Sequence, residues 1–135
     1  MASLVKDFMT KKREIVSPED SVESAIEVMV ENDAGSVIVE DENQKVIGMF
    51  TERDLLRHYL DKQTKFLYLK VGEVMSSPVV TVTKDIRISE ALQLMNNNKI
   101  RRLPVVDGDG RMVGFLSWKE LFVNFFKQLE EMEKR

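Results

Sequence analysis

The chain states one pattern twice. Met9-Thr10 recurs as Met75-Ser76, Val16 as Val82, Ala25 as Ala91 and Met29 as Met95. Val39-x-Asp41 returns as Val105-x-Asp107, Gly48 as Gly114, and Thr51-x-x-Asp54 as Ser117-x-x-Glu120, every pair 66 positions apart with no gap. A repeat of this kind implies two copies of one structural unit related by approximate symmetry. Each copy spans about 60 residues, a size at which a core is marginal, so the two copies are expected to share a core. Clefts between such copies come in pairs.

Each copy has the same order of local signals. Ser17-Pro18-Glu19-Asp20-Ser21 is a turn and helix start, followed by Val22, Ala25, Ile26 and Met29 at helical spacing. The second copy repeats this with Ile88, Ala91, Leu92 and Met95. Short apolar runs follow, Ser36-Val37-Ile38-Val39 and Leu103-Pro104-Val105-Val106, and read as buried strands. A polar turn comes next, Glu40 to Gln44 in one copy and Asp107-Gly108-Asp109-Gly110 in the other, the latter a strong hairpin signal. The returning strands are Val46 to Phe50 and Met112 to Leu116, and a second helix follows each, Glu52 to Asp61 and Trp118 to near the C-terminus. With a first strand at Ile15-Val16 or Val79 to Val82, the order is strand, helix, strand, strand, helix.

The repeats are expected at 5–61 and 71–124, with a joining segment at 62–70 and a helical extension at 125–135. Phe66, Leu67 and Tyr68 make the joining segment docked rather than loose. The last helix carries Leu121, Phe122, Phe125, Phe126, Leu129 and Met132 as an apolar stripe. That stripe either covers the core or forms a contact between two copies of the chain. The charged tail from Glu130 to Arg135 is expected to be a solvated, frayed end.

Composition removes several functions. There is no apolar run near the ~20 residues needed to cross a bilayer and no signal-peptide pattern at the N-terminus. The absence of cysteine excludes a disulfide framework and a thiolate zinc site, and it fits a cytoplasmic protein. A net charge of −3 gives no global field to attract nucleic acid, although Lys11-Lys12-Arg13 and Lys99 to Arg102 are local basic clusters. His58 is the only histidine, so neither a nitrogen–sulfur metal site nor a Ser-His-Asp or Cys-His constellation has support, and it is expected at the surface or an interface. Neither a Walker-type loop nor Gly-x-Gly-x-x-Gly is present. Binding without turnover is the economical reading: the chain is not expected to be an enzyme.

The junction at Thr51 carries chemistry. Thr51 is placed to cap the second helix of its copy, leaving N–H groups near the helix start, a setting that attracts phosphate. Asp54 is about one helical turn further on and can face the same way. A carboxylate can accept hydrogen bonds from both hydroxyls of a ribose. The plain alternative is that Thr51 to Asp54 only cap and solvate a helix.

The ordered set of motifs resembles the cystathionine-β-synthase (CBS) domain, and the chain from Val5 to Asn124 resembles a tandem CBS pair. The matching segments in copy one are Val5 to Thr10, Val16 to Val22 and Gly48 to Leu56. In copy two they are Val71 to Ser76, Ile100 to Asp107 and Gly114 to Ser117. The resemblance implies an α/β (α+β) fold in which two βαββα repeats pack through their sheets with pseudo-twofold symmetry. It implies two clefts that hold adenosine-containing ligands, with Thr or Ser near the phosphate and Asp on the ribose. It also implies a disc-like homodimer of four repeats and a regulatory role. Since nothing is fused to the pair, this member is expected to stand alone.

The resemblance makes each cleft mixed. Thr51 and Asp54 would be joined by Val80, Thr81, Val82, Ile100, Arg101 and Arg102. Neighbouring residues on an extended segment point opposite ways, so one arginine is expected to reach in. The resemblance selects Arg102 as the phosphate partner, with a surface ion pair as the alternative. The second cleft would use Ser117, Glu120, Ile15, Val16 and Ser36. It departs from the pattern: Glu120 is a methylene longer than Asp, and Ser36 stands where copy two has Arg102. It is expected to be weaker, empty or selective for a ligand with less phosphate. Trp118 either stacks on a ligand or packs at the helix start or an interface.

The expectation is therefore a ligand-sensing regulatory module for AMP, ADP, ATP or an S-adenosylmethionine-type compound. No cofactor is required, and the regulated partner is unidentified. The rivals are a dimerising scaffold without ligand and, more remotely, a nucleic-acid binder.

Overall fold

A computed structural model describes residues 3–135, which form two compact units. The first-repeat unit comprises Lys12–Val79 with Asp109–Met112. The second-repeat unit comprises the N-terminal segment through Lys11, Val80–Gly108 and Val113–Arg135.

In the first-repeat unit, β1 (Ile15–Val16) lies parallel to β2 (Ser36–Glu40), and β2 is antiparallel to β3 (Val46–Thr51). The register pairs Ile15 with Ile38, Val16 with Val39 and Ser36 with Thr51. Helix α1 (Val22–Glu31) starts where the turn signal placed it: Ser21 Oγ accepts the Ser24 N–H at 3.1 Å. Asp41 organises the β2–β3 turn by accepting from the N–H groups of Asn43 and Lys45 at 2.8 and 3.0 Å. Helix α2 (Glu52–Lys62) leaves β3 directly. The joining segment is docked: a 3-10 turn over Gln63–Tyr68 sends Phe66 into the core, fully buried, with its ring 6.0 Å from that of Phe50. A one-turn helix α3 (Val71–Val74) adds Val71 and Val74 to the same core.

In the second-repeat unit, α4 (Ile88–Asn98) precedes β4 (Arg102–Val106), β5 (Met112–Ser117) and α5 (Trp118–Glu133); Met112, the first residue of β5, groups with the first-repeat unit. The core is Val5, Val82, Ala91, Met95, Leu103, Val105, Leu116 and Leu121. The expected first strand, Val79 to Val82, is reduced to a single parallel bridge between Val82 and Val105. Proline is the reason. In the first repeat the Ile38 N–H donates to the Glu14 carbonyl at 3.0 Å. Pro104 occupies the matching position and has no N–H to give. The ladder keeps only the bonds flanking Val105, from Val82 N to Pro104 O at 3.1 Å and from Val106 N to Val82 O at 2.8 Å.

The segment that opens each repeat in sequence packs in the unit built around the other repeat. Thr10 pairs with Phe115 through two backbone bonds of 2.8 and 3.1 Å, and Ser76 pairs with Met49 through two of 2.8 and 3.0 Å. Val5 N donates to Ile86 O just as Val71 N donates to Asp20 O. Gly48 and Gly114 make these bridges possible: a Cβ at Gly48 would collide with Met75, and one at Gly114 would lie 2.6 Å from Thr10 O.

The apolar stripe of α5 divides. Leu121 is buried and Phe125 packs on the core with its ring 6.1 Å from Phe8. Phe122, Phe126, Leu129 and Met132 are exposed at 64, 53, 55 and 63%. The tail expected to fray is helical through Glu133, because Gln128 to Glu133 are strong helix formers with no Gly or Pro; its side chains are exposed. No helix among the described residues is long and apolar enough to cross a membrane.

Candidate functional site

The site grows from the β3–α2 junction. Thr51 is the last residue of β3 and, with φ −121° and ψ 166°, the N-cap of α2. Its Oγ1 accepts the Asp54 N–H at 3.2 Å. Asp54 answers by accepting the Thr51 N–H on Oδ2 at 3.0 Å, a reciprocal capping box. The Thr51 hydroxyl contacts the same Oδ2 at 3.1 Å. Asp54 Oδ1 accepts the Ser76 hydroxyl at 2.7 Å. The carboxylate is 2% exposed, so its position is set by these bonds rather than by solvent. The acid at the start of α2 also faces the positive end of the helix dipole.

The matching junction of the second repeat is looser. Ser117 caps α5, but its Oγ accepts the Glu120 N–H at 3.5 Å, and Glu120 is half-buried. The longer acid therefore stands in a different setting from Asp54.

Arg101 and Arg102 divide as extended alternation requires. Arg101 is exposed, and its carbonyl accepts the Trp118 N–H at 2.8 Å. Arg102 is 9% exposed and lies with Cζ 4.5 Å from the centroid of the fully buried Phe115 ring, a cation–π contact. The guanidinium lies in the interior, not on the surface. Phe115 was not among the residues singled out in the sequence. Nor was a role for Ser76, although its repeat mate Thr10 also carries a hydroxyl and that shared chemistry was the available signal.

Within single units the structure gathers two sets. Ile15 (half-buried), Val16 (buried), Ser36, Thr51 and Asp54 belong to the first-repeat unit. Val80, Thr81 and Ile100 (half-buried), Val82, Arg101, Arg102, Ser117 and Glu120 belong to the second. Trp118 is 45% exposed on the first turn of α5. His58 is half-buried and stacks on Phe66 at 5.8 Å and 20° between planes, so its ring serves packing. Among the described residues no group of three His, Cys, Asp or Glu could hold a metal ion. The basic cluster at Lys11 to Arg13 is largely neutralised: Lys12 pairs with Glu40 at 2.9 Å and Arg13 with Glu14 at 3.2 Å.

Comparison with known proteins agrees with this architecture. The CBS domain model matches residues 5–61 and 71–126. The Methanopyrus kandleri protein MK0525 is 35% identical over 102 residues, 73% of this chain and 52% of that protein. The inosine-5'-monophosphate dehydrogenase of Methanocaldococcus jannaschii is 35% identical over 87% of this chain but only 22% of its own length. The chain thus spans about half of one relative and about a fifth of the other. Among solved structures, CBSX2 in complex with AMP is 33% identical with a TM-score of 0.78, covering 95% of this chain and 98% of that one. With both repeats matched in sequence and the same architecture in space, this chain belongs to the CBS domain family.

Proposed function

We propose that the chain is a regulatory module that binds an adenine nucleotide or related adenosyl compound through Asp54 and passes its occupancy to a partner protein. The observation that carries this reading is the buried Asp54 carboxylate, fixed at a helix N-terminus by Thr51. A preorganised acceptor of this kind suits a ribose diol, and the adjoining N–H groups of α2 suit a phosphate. CBSX2, solved with AMP, supports the ligand class. Arg102 is the assigned phosphate partner. Its Cζ lies 4.5 Å from the Phe115 ring centroid, and the planar guanidinium is the group whose fork matches phosphate oxygens. The Ser117–Glu120 junction is assigned a weaker or more selective role.

The same reading includes a homodimer, supported by the exposed Phe122, Phe126, Leu129 and Met132 on α5, and a cytoplasmic location. The role is regulatory rather than catalytic. Ligand occupancy acts on a partner only if the ligand favours one arrangement of the chain over another.

The test is titration calorimetry with AMP, ADP, ATP and S-adenosylmethionine on wild type and Asp54→Ala. Binding by wild type and its loss in Asp54→Ala is the expected result. Equal heats from both proteins would remove Asp54 from the account, and silence from wild type would favour a ligand-free scaffold.

A further inference from the structure

A carboxylate offers about four acceptor positions, and three of those on Asp54 are taken within the chain. Thr51 fills two through its N–H and hydroxyl, both on Oδ2. These belong to the helix cap. The third, on Oδ1, goes to Ser76, 22 residues away in sequence, in the shortest of the three bonds at 2.7 Å. Ser76 is exposed whereas Asp54 is 2% exposed. A diol delivers two hydroxyls and needs two acceptor positions, but one remains.

We infer that Ser76 is an internal competitor for the ligand: its hydroxyl occupies the place on Asp54 Oδ1 that a ribose hydroxyl takes. This rests on the adenosyl-binding reading of Asp54 above. Displacement needs no backbone movement. The Ser76 backbone is held by its paired bonds to Met49 at 2.8 and 3.0 Å, so rotation about χ1 alone releases the carboxylate. Being exposed, the freed hydroxyl finds water. The bond to Ser76 keeps most molecules in a form that offers a diol one acceptor position, and apparent affinity falls by the fraction that is ready to bind. The device is confined to the Asp54 half. Thr10, the repeat mate of Ser76, directs its hydroxyl to the Phe115 carbonyl at 3.5 Å.

The experiment is calorimetric titration of AMP and 2′-deoxy-AMP into wild type, Ser76→Ala, Ser76→Thr and Asp54→Ala. Ser76→Ala should bind AMP about tenfold more tightly than wild type, the effect of one charge-assisted hydrogen bond no longer displaced. Ser76→Thr keeps a hydroxyl on Cβ beside Asp54 Oδ1, so it should bind as wild type does. The deoxy nucleotide has one hydroxyl for the remaining position, so Ser76→Ala should leave its affinity unchanged. If Asp54→Ala loses AMP binding while Ser76→Ala binds no more tightly than wild type, the competitor is overturned and the adenosyl reading stands. Equal gains for both nucleotides, or a gain in Ser76→Thr matching that in Ser76→Ala, also overturn the competitor alone. If Asp54→Ala binds AMP as wild type does, or neither wild type nor Ser76→Ala binds it, the adenosyl reading falls and takes the competitor with it.

Discussion

Gly114 lies beneath the carbonyl of Thr10, whose oxygen would stand 2.6 Å from a Cβ at that position. Gly48 is its repeat mate, but what a Cβ would meet there first is the flexible thioether of Met75. The two substitutions therefore differ in kind. Gly114→Ala forces backbone apart and is expected to cost about 2–3 kcal/mol, whereas Gly48→Ala displaces a methionine side chain and costs about 1 kcal/mol. Chemical denaturation measures both. Hydrogen exchange should also show the amides of Val5 to Thr10 losing protection in Gly114→Ala, because the Thr10–Phe115 pair anchors that segment.

The missing first strand of the second repeat predicts how the first repeat can be damaged. Ile38 N donates to Glu14 O, the bond that Pro104 cannot make. Ile38→Pro should remove it and reduce β1 to an isolated bridge like that of Val82. The buried Ile38 side chain is lost as well, so a cost of about 3 kcal/mol or more is expected in urea unfolding. A variant as stable as wild type would show that the β1–β2 ladder contributes little.

The capping box predicts a stability effect separable from ligand binding. Thr51→Ala removes the acceptor of the Asp54 N–H and one donor to the carboxylate, and should cost about 1–2 kcal/mol in thermal unfolding without ligand. Asp54→Ala leaves the Thr51 N–H without its partner and should cost about 1–3 kcal/mol. The double variant should lose less than the sum, since the two residues share their bonds. Strict additivity would mean that the reciprocal bonds are not made in solution.

Much of this fold was legible because the repeat imposes the same local chemistry twice. Ser21, Thr51 and Ser117 announce helix starts by residue type, and Gly108 and Gly110 announce a turn. What tertiary structure alone decides was not legible. Nothing local says that Met9-Thr10 pairs with β5 and Met75-Ser76 with β3, because a two-residue bridge has no periodicity of its own. The β-branched run at Val79 to Val82 read as a strand since its partner, Pro104, lies 22 residues or more away. At the site, Thr51 and Asp54 were readable from capping spacing. Ser76 was not, as its bond to Asp54 spans 22 residues. Alternation separated Arg101 from Arg102 but could not supply the aromatic ring beneath the latter. On α5, the stripe correctly marked Leu121 and Phe125, yet the same spacing runs on through residues that the chain leaves exposed.

Phe66 predicts that the segment between the repeats is a structural part of the first-repeat unit. Its ring is fully buried beside Phe50 and beneath His58. Phe66→Ala should cost about 3–5 kcal/mol. His58→Ala should cost less, about 1 kcal/mol, because the imidazole is only half-buried whereas the Phe66 ring is fully buried. Equilibrium unfolding followed by far-ultraviolet circular dichroism, with hydrogen exchange read at the amides of α1 and α2, distinguishes the two. Similar small losses in both would mean that the segment is detached in solution.

Arg102 packs on Phe115 and is the proposed phosphate partner, and a lysine separates the two contributions. Lys keeps the charge but replaces a planar group on the Phe115 ring with a compact, strongly hydrated ammonium. Arg102→Lys should therefore destabilise the chain by about 1–2 kcal/mol. The proposed phosphate contact adds a ligand-dependent signature. AMP binding should weaken about tenfold or more, from loss of the fork that fits phosphate oxygens, whereas 5′-methylthioadenosine, which has no phosphate, should bind as it does to wild type. Equal weakening for both compounds would assign Arg102 to packing alone, and its guanidinium would then have no part in selecting phosphorylated ligands.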